Sequence, residues 1–243
     1  MLSRYKQVRK TTEEIVSALE IEDFVAQPVA DVSPPKWHLA HTTWFFENFI
    51  LKDYKLDYKL FNSDFAFLFN SYYESQGDRL LRNKRGTLTR PSTKEIFNYR
   101  KYVDEEMEMF LNDNKAVPSD VRRFLEIGLN HEQQHQELLA TDIKYILGSN
   151  PLLPKFQHVA ESQKEPIKLE WLKVKEGNYK IGYDGPDFHF DNEEGVHQVF
   201  LHAFEAANRL VTNQEYLEFI EETGTIELNY GSWKVGNGSN QIK

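Results

Sequence analysis

An α+β architecture, a four-helix bundle followed by a smaller mixed α/β region, is what this sequence predicts, and three observations predict it. Four segments before residue 150 repeat apolar residues at a helical period. Segments after residue 166 alternate in the two-residue rhythm of strands. Between them PLLPKFQHVAESQKEP, with prolines near both ends, breaks either pattern. The 243 residues suffice for one large domain or two small ones, at about 100–200 residues each. The expected divisions are a bundle over 1–150, a linker over 151–166 and a second domain over 167–243.

The first helix is placed from Thr11 or Thr12, whose hydroxyl can cap free amides. Glu14 sits in its first turn, Ile15, Leu19 and Ile21 follow, and it fades near Pro28. The second opens at Ser33 and Pro34 and runs through Trp37, Leu39, Ala40, Trp44, Phe45 and Phe49, an unusually aromatic surface. Ser92 and Glu95, at capping-box spacing, start the third, which places Ile96, Tyr99, Val103, Met107 and Phe110 on one side. The fourth follows Pro118 and Ser119, with Phe124, Ile127, Leu138, Leu139 and Ile146 marking its buried face and Gly148 stopping it. Residues 53–91, between the second and third, form a long irregular stretch. Its Tyr72, Tyr73, Arg79, Arg82, Arg85 and Arg90 suit either a pocket that clamps anions or a solvated basic loop. Past residue 166, WLKVKEGNYKIGYD and VHQVFLHAF read as strands with Gly177 and the Gly185-Pro186 pair as turn residues, and 210–224 as a short helix capped by Thr212 or Asn213.

Composition closes off several classes of function. Lys and Arg total 29 against 38 Asp and Glu, a formal charge of −9, which disfavours a grip on phosphate backbones, so no nucleic-acid partner is expected. Cysteine is absent, which excludes disulfides, thiolate metal sites, iron–sulfur ligation and a cysteine nucleophile. No apolar run approaches the ~18 residues of a membrane span, and the basic N-terminus lacks an apolar signal segment, so a cytoplasmic protein without a membrane partner is expected.

His131 and His135 stand four apart on the fourth helix and project side by side, about 5–6 Å apart at Cβ. Two imidazoles on a buried face need partners, and a metal offers both rings one. The segment reads HEQQH, the pattern of zinc hydrolases in which the glutamate is the general base, and His158 or Glu161 could complete such a site downstream. Against that reading, Glu132 is turned roughly 100° from the histidine before it. A third ligand is easier to find upstream, where PPKWHLAHTTWFFEN places His38 and His41 three apart; one of them should face the pair. Three neutral imidazoles leave positions open for exogenous ligands. Iron more usually has two histidines and a carboxylate, so residue chemistry leaves iron and zinc both open.

SPPKWHLAHTTWFFE, NSYYE, RGTLTRP and HEQQHQELLATDIKY together resemble the ergothioneine biosynthesis sulfoxide synthases (hercynine oxygenases). The resemblance continues through FHFDNEEGVHQVFLHAFEAANRLVTNQEYLEFIE, similar to the start of that family's second domain. It implies a DinB-like four-helix bundle followed by a sulfatase-modifying-factor-like (C-type-lectin-like) domain. It also implies a nonheme Fe(2+) enzyme that uses O2 to join the sulfur of cysteine or γ-glutamylcysteine to the imidazole of hercynine as a sulfoxide. Residue by residue, the resemblance puts the metal on His41, His131 and His135 and leaves His38 to packing or to the surroundings of the ligands. It sets Gln134 against the hercynine imidazole and Arg82 and Arg85 against the thiol substrate's carboxylates. Family members run on past this helix with a tryptophan-rich segment and a catalytic tyrosine in the second domain. TGTIELNYGSWKVGNGSNQIK offers no counterpart of either, so the expectation is an incomplete second domain, strands short of partners, and weak or absent sulfoxide synthesis. A zinc hydrolase on HEQQH and a DinB-like thiol S-transferase are the competing readings.

Overall fold

The computed structural model describes residues 1–71, 80–113, 117–156 and 167–224. Tyr72, Tyr73, Arg79, His158, Glu161, most of the expected linker and the stretch after Gly224 lie outside the described residues. The described residues fall into two compact units, one holding the elements up to Ser149 and the other those from Trp171 onward.

The first unit is built on α1 (Leu2–Val16), α2 (Pro35–Phe46), α5 (Thr93–Asp113) and α6 (Ser119–Ser149), with α2 packed on α5 and α6, and α1 packed on the same two helices. A π-helical turn, Glu47–Leu51, and the short α3 (Lys52–Tyr54) carry α2 onward, and α4 (Phe65–Phe69) follows. The core has an aromatic character: Tyr5, Trp37, Trp44, Phe45, Phe46, Phe65, Phe69 and Tyr99 are all buried.

Helix α1 begins ten residues before the expected capping threonines. Tyr5, Val8, Arg9, Thr12 and Val16 recur at helical spacing and are all buried, and the charge of Arg9 hides that period in the sequence. The helix stops at Val16, short of Ile21, which is 55% exposed. At α2, Ser33 is not the cap: Pro34 holds that position and Pro35 opens the helix with its preset φ, while the Ser33 amide donates to Asp142. Every residue from Pro35 to Phe46 is buried, so this helix crosses the unit's interior and its polar groups must all find partners. Thr42 and Thr43 bond to carbonyls of the preceding turn, and Lys36 Nζ donates to the carbonyls of Leu88 and Pro91. Helix α5 forms as expected. The Ser92 amide donates to Glu95 Oε2 at 2.7 Å, the Glu95 amide to Ser92 Oγ at 3.2 Å, and Ile96, Tyr99, Val103, Met107 and Phe110 are buried.

Helix α6 buries Leu139 and Ile146 as expected, but the rest of its buried face differs. Val121, Leu125, Leu129, Glu132, Leu139, Ile143 and Ile146 form it, whereas Phe124 and Ile127 are half-buried and Leu138 is 44% exposed. The helix passes through Gly148 and ends at Ser149. Gly128 marks its close approach to α2, because a Cβ there would lie 2.6 Å from Phe46 Cε1 and 2.9 Å from Phe45 Cδ1. Gly128→Ala gains about 1 kcal/mol of helix propensity. It also drives a methyl into two buried rings, an overpacking that costs about 1–3 kcal/mol. A net loss of stability, read as a lower urea midpoint with unchanged slope, is the expected outcome; a higher midpoint would show that the rings yield.

The second unit has two antiparallel pairs among the described residues: β1 (Trp171–Val174) with β4 (Phe204–Ala207), and β2 (Gly177–Ile181) with β3 (His197–Leu201). Trp171 faces Ala207, and Gly177 faces Leu201, so Gly177 belongs to a strand instead of a turn. The expected strands therefore pair with one another. Their apolar residues remain open, with Trp171, Phe200 and Phe204 all exposed. Helix α7 (Asn213–Thr223) carries its expected cap: the Glu215 amide donates to Thr212 Oγ1, the Thr212 amide to Glu215 Oε2, and Gly224 closes the helix at φ 68°.

Candidate metal centre

His41, from the buried helix α2, meets His131 and His135, one turn apart on α6, with one ring nitrogen from each lying within 4.8 Å of the others. His41 Nε2 is 3.2 Å from His131 Nε2. An ion holding imidazoles at about 2.0–2.1 Å spaces neighbouring donors by about 3 Å, so this pair stands at ligand spacing without rearrangement. His41 Nδ1 donates to the Phe69 carbonyl at 2.6 Å, which fixes the tautomer and leaves a lone pair on Nε2. The ring also stacks on Trp37, with centroids 4.5 Å apart and planes 15° apart, and lies nearly parallel to Trp44. His131 packs on Phe45, and its Nδ1 is buried with no hydrogen-bond partner among the described residues.

Burial holds all three rings neutral. It pushes His131 down to about 4 and, with the neighbouring His131, holds His41 well below the usual imidazole range; His135 is lowered in the same way, first by burial and then by His41 and His131. Neutral rings near pH 7 keep the lone pairs that a cation needs, and three such donors packed within contact distance fit a divalent metal bound by nitrogen.

Beside these three lies His38, which the resemblance left to packing or to the surroundings of the ligands. His38 Nδ1 is 2.9 Å from His135 Nδ1, and His38 Nε2 is 3.0 Å from Asp142 Oδ2. Asp142 Oδ2 also accepts the Ser33 amide at 2.9 Å. Asp142 was missed by sequence reasoning, although a signal existed: it stands seven residues after His135, two turns along the same face of the helix.

Glu132 takes no part in the cluster. Its carboxylate points into the bundle and accepts from Arg100 Nη2 at 2.6 Å, Thr12 Oγ1 at 2.7 Å and Arg9 Nη1 at 2.9 Å, and all three side chains are buried with it. Burial alone would push this carboxyl up, but Arg100 and Arg9 outweigh burial and hold it at about 2. A general base must be free to take a proton and must face the ion, and both conditions fail for a carboxylate held between two guanidinium groups and outside the histidine cluster. The geometry therefore does not favour the zinc-hydrolase reading of HEQQH.

Of the residues set against substrate, Gln134 is exposed on α6 one position before His135. Arg82 is exposed and donates to the Asp31 carbonyl. Arg85 is buried; it donates to Ser33 Oγ at 2.8 Å and Ser71 Oγ at 3.1 Å, and its guanidinium carbon lies 3.3 Å from the centre of the Trp37 ring, which also stacks on His41. Arg90, exposed, donates to the Thr89 carbonyl.

Among the described residues no helix is long and apolar enough to cross a membrane. The model of a protein family described as the DinB superfamily matches residues 4–139. A curated relative, ergothioneine biosynthesis protein 1 of Neurospora crassa, is 27% identical over 158 residues, which cover 59% of this chain and 18% of the relative. The chain thus spans less than a fifth of the relative it matches.

Proposed function

The chain belongs to the DinB superfamily, and from that premise we propose that its bundle is the metal-binding part of an enzyme of ergothioneine biosynthesis, with iron(II) on His41, His131 and His135. The observation that carries this is the convergence of three neutral imidazoles from two helices. The likeness to the Neurospora protein supports the choice of pathway.

The reaction proposed joins the sulfur of cysteine or γ-glutamylcysteine to the hercynine imidazole with O2 as oxidant. Forming the C–S bond removes two electrons and oxidising the sulfur to the sulfoxide removes two more; together they reduce one O2, with one oxygen ending on sulfur and the other in water. A metal held by His41, His131 and His135 would supply open coordination positions and redox capacity. The chain's own residues do the rest. His41 is held rigid by the Phe69 carbonyl and the two indoles. Gln134 offers its amide to the hercynine ring. Arg82 and Arg85 offer positive charge to the thiol substrate's carboxylates, Arg85 from a fixed seat on Trp37.

Anaerobic titration of the purified chain with iron(II) is the direct test, with one equivalent per chain expected. Calorimetric titration of that complex with hercynine should give binding that Gln134→Ala weakens about 10-fold, the cost of one hydrogen bond to a charged or strongly polar partner. A chain that takes up zinc alone and hydrolyses peptides or esters would defeat the proposal, as would transfer of a thiol without O2 consumption.

A further inference from the structure

His38 is buried, touches one of the three candidate ligands and has no assigned task. Its two ring nitrogens are both engaged: Nε2 at 3.0 Å from Asp142 Oδ2 and Nδ1 at 2.9 Å from His135 Nδ1. Donor and acceptor bookkeeping along this line has one solution for neutral rings. An ionised carboxylate only accepts, so His38 carries its proton on Nε2 and donates to Asp142. Nδ1 of His38 is then an acceptor, and the contact at 2.9 Å requires the proton on Nδ1 of His135. That leaves His135 with a single lone pair, on Nε2.

We propose that His38 is a positioning residue that relays the carboxylate of Asp142 to His135, setting the tautomer of that ligand so that it can present only Nε2 to a metal. The device extends the metal reading given above and rests on it for its purpose, though its geometry is present without any ion. It also makes sense of Asp142, a carboxylate on the same helix as His135 that cannot reach that ring through an intervening two turns and acts through an imidazole from α2 instead. Asp142 is itself held by the Ser33 amide, the residue that leads into α2, so the helix carrying His38 and His41 is tied to the one carrying His131 and His135 at both ends of the relay. His41 has its own version of the device, with a backbone carbonyl in place of the Asp142–His38 pair.

Two measurements test the relay. In the metal-free protein, two-dimensional 15N–1H spectra of the imidazoles should show His135 protonated at Nδ1 and His38 at Nε2; a His135 proton on Nε2 overturns the proposal. Cobalt(II) titration, followed by its visible spectrum, should show His38→Ala binding about 10–100-fold more weakly than wild type, at unchanged stoichiometry. His38→Asn, whose side-chain carbonyl takes the place of Nδ1, should recover most of that loss. Equal affinity of wild type and His38→Ala, or equal loss in the Ala and Asn variants, overturns it, because packing alone would then account for His38. Should the wild-type chain bind no cobalt, the metal reading fails, while the tautomer measurement still decides the relay.

Discussion

Glu132→Gln is expected to cost the bundle about 3–5 kcal/mol, the penalty for removing one partner of a buried ion pair and leaving its counter-charges in place. Arg9 and Arg100 are both fully inside the unit, and both point at this one carboxylate. Arg9 keeps Asp104 at 2.6 Å as a second partner and Arg100 keeps the partly exposed Glu13 at 3.2 Å, which sets the cost toward the lower end of that range. Glutamine preserves the shape and one acceptor but no charge. The measurement is a urea or thermal unfolding curve of the metal-free protein; a midpoint within about 0.5 kcal/mol of wild type would show that the arginines are compensated elsewhere. The pH dependence has the same sign. Because the folded state holds this carboxyl at about 2, below the ordinary ~4.3 of an unfolded glutamate, its contribution is fully present above about pH 4.3. It is lost as pH falls from there toward 2. A metal-binding assay on Glu132→Gln must therefore be paired with a folding assay, since loss of activity in this variant would reflect the core before it reflects any hydrolytic base.

How much of this was legible in the sequence depends on how far apart the cooperating residues lie. Helix α5 was readable because its signals are local: Ser92 and Glu95 are three apart, and the apolar face repeats every three or four residues. The histidine pair was readable for the same reason, four residues on one helix. The aromatic character of α2 was readable too, but not that every residue from Pro35 to Phe46 is buried. Long-range charge pairing was not readable. Arg9 and Glu132 are 123 residues apart and Arg100 and Glu132 are 32 apart, so neither pairing shows in local spacing, and the start of α1 and part of the buried face of α6 were misplaced. His38 and His41 could not be told apart by spacing. What separates their roles is Asp142, 104 residues after His38, and the Phe69 carbonyl, which no side-chain pattern announces.

His41→Ala should abolish stoichiometric metal binding, and it is the sharper test because it removes the one ligand that α2 contributes. Structural four-ligand sites hold their ion with about 10–16 kcal/mol, so one ligand is worth on the order of 3 kcal/mol. That corresponds to an affinity loss of at least ~100-fold. The ring is deeply embedded, bonded to the Phe69 carbonyl and stacked on Trp37 and Trp44, so the substitution also leaves a cavity and an unpaired carbonyl. His131→Ala separates the two effects. That ring is half-buried and its Nδ1 has no hydrogen-bond partner among the described residues, so its removal should leave the unfolding midpoint little changed while lowering metal affinity by a similar factor. A site built on HEQQH with a downstream third ligand predicts a different pair of outcomes: metal lost in His131→Ala and kept in His41→Ala. Loss in both variants, with the fold intact in at least His131→Ala, requires the ion to bridge two helices. A bridging ion couples its own binding to the packing of α2 on α6, so saturating cobalt should raise the thermal midpoint of the wild-type chain and of neither variant.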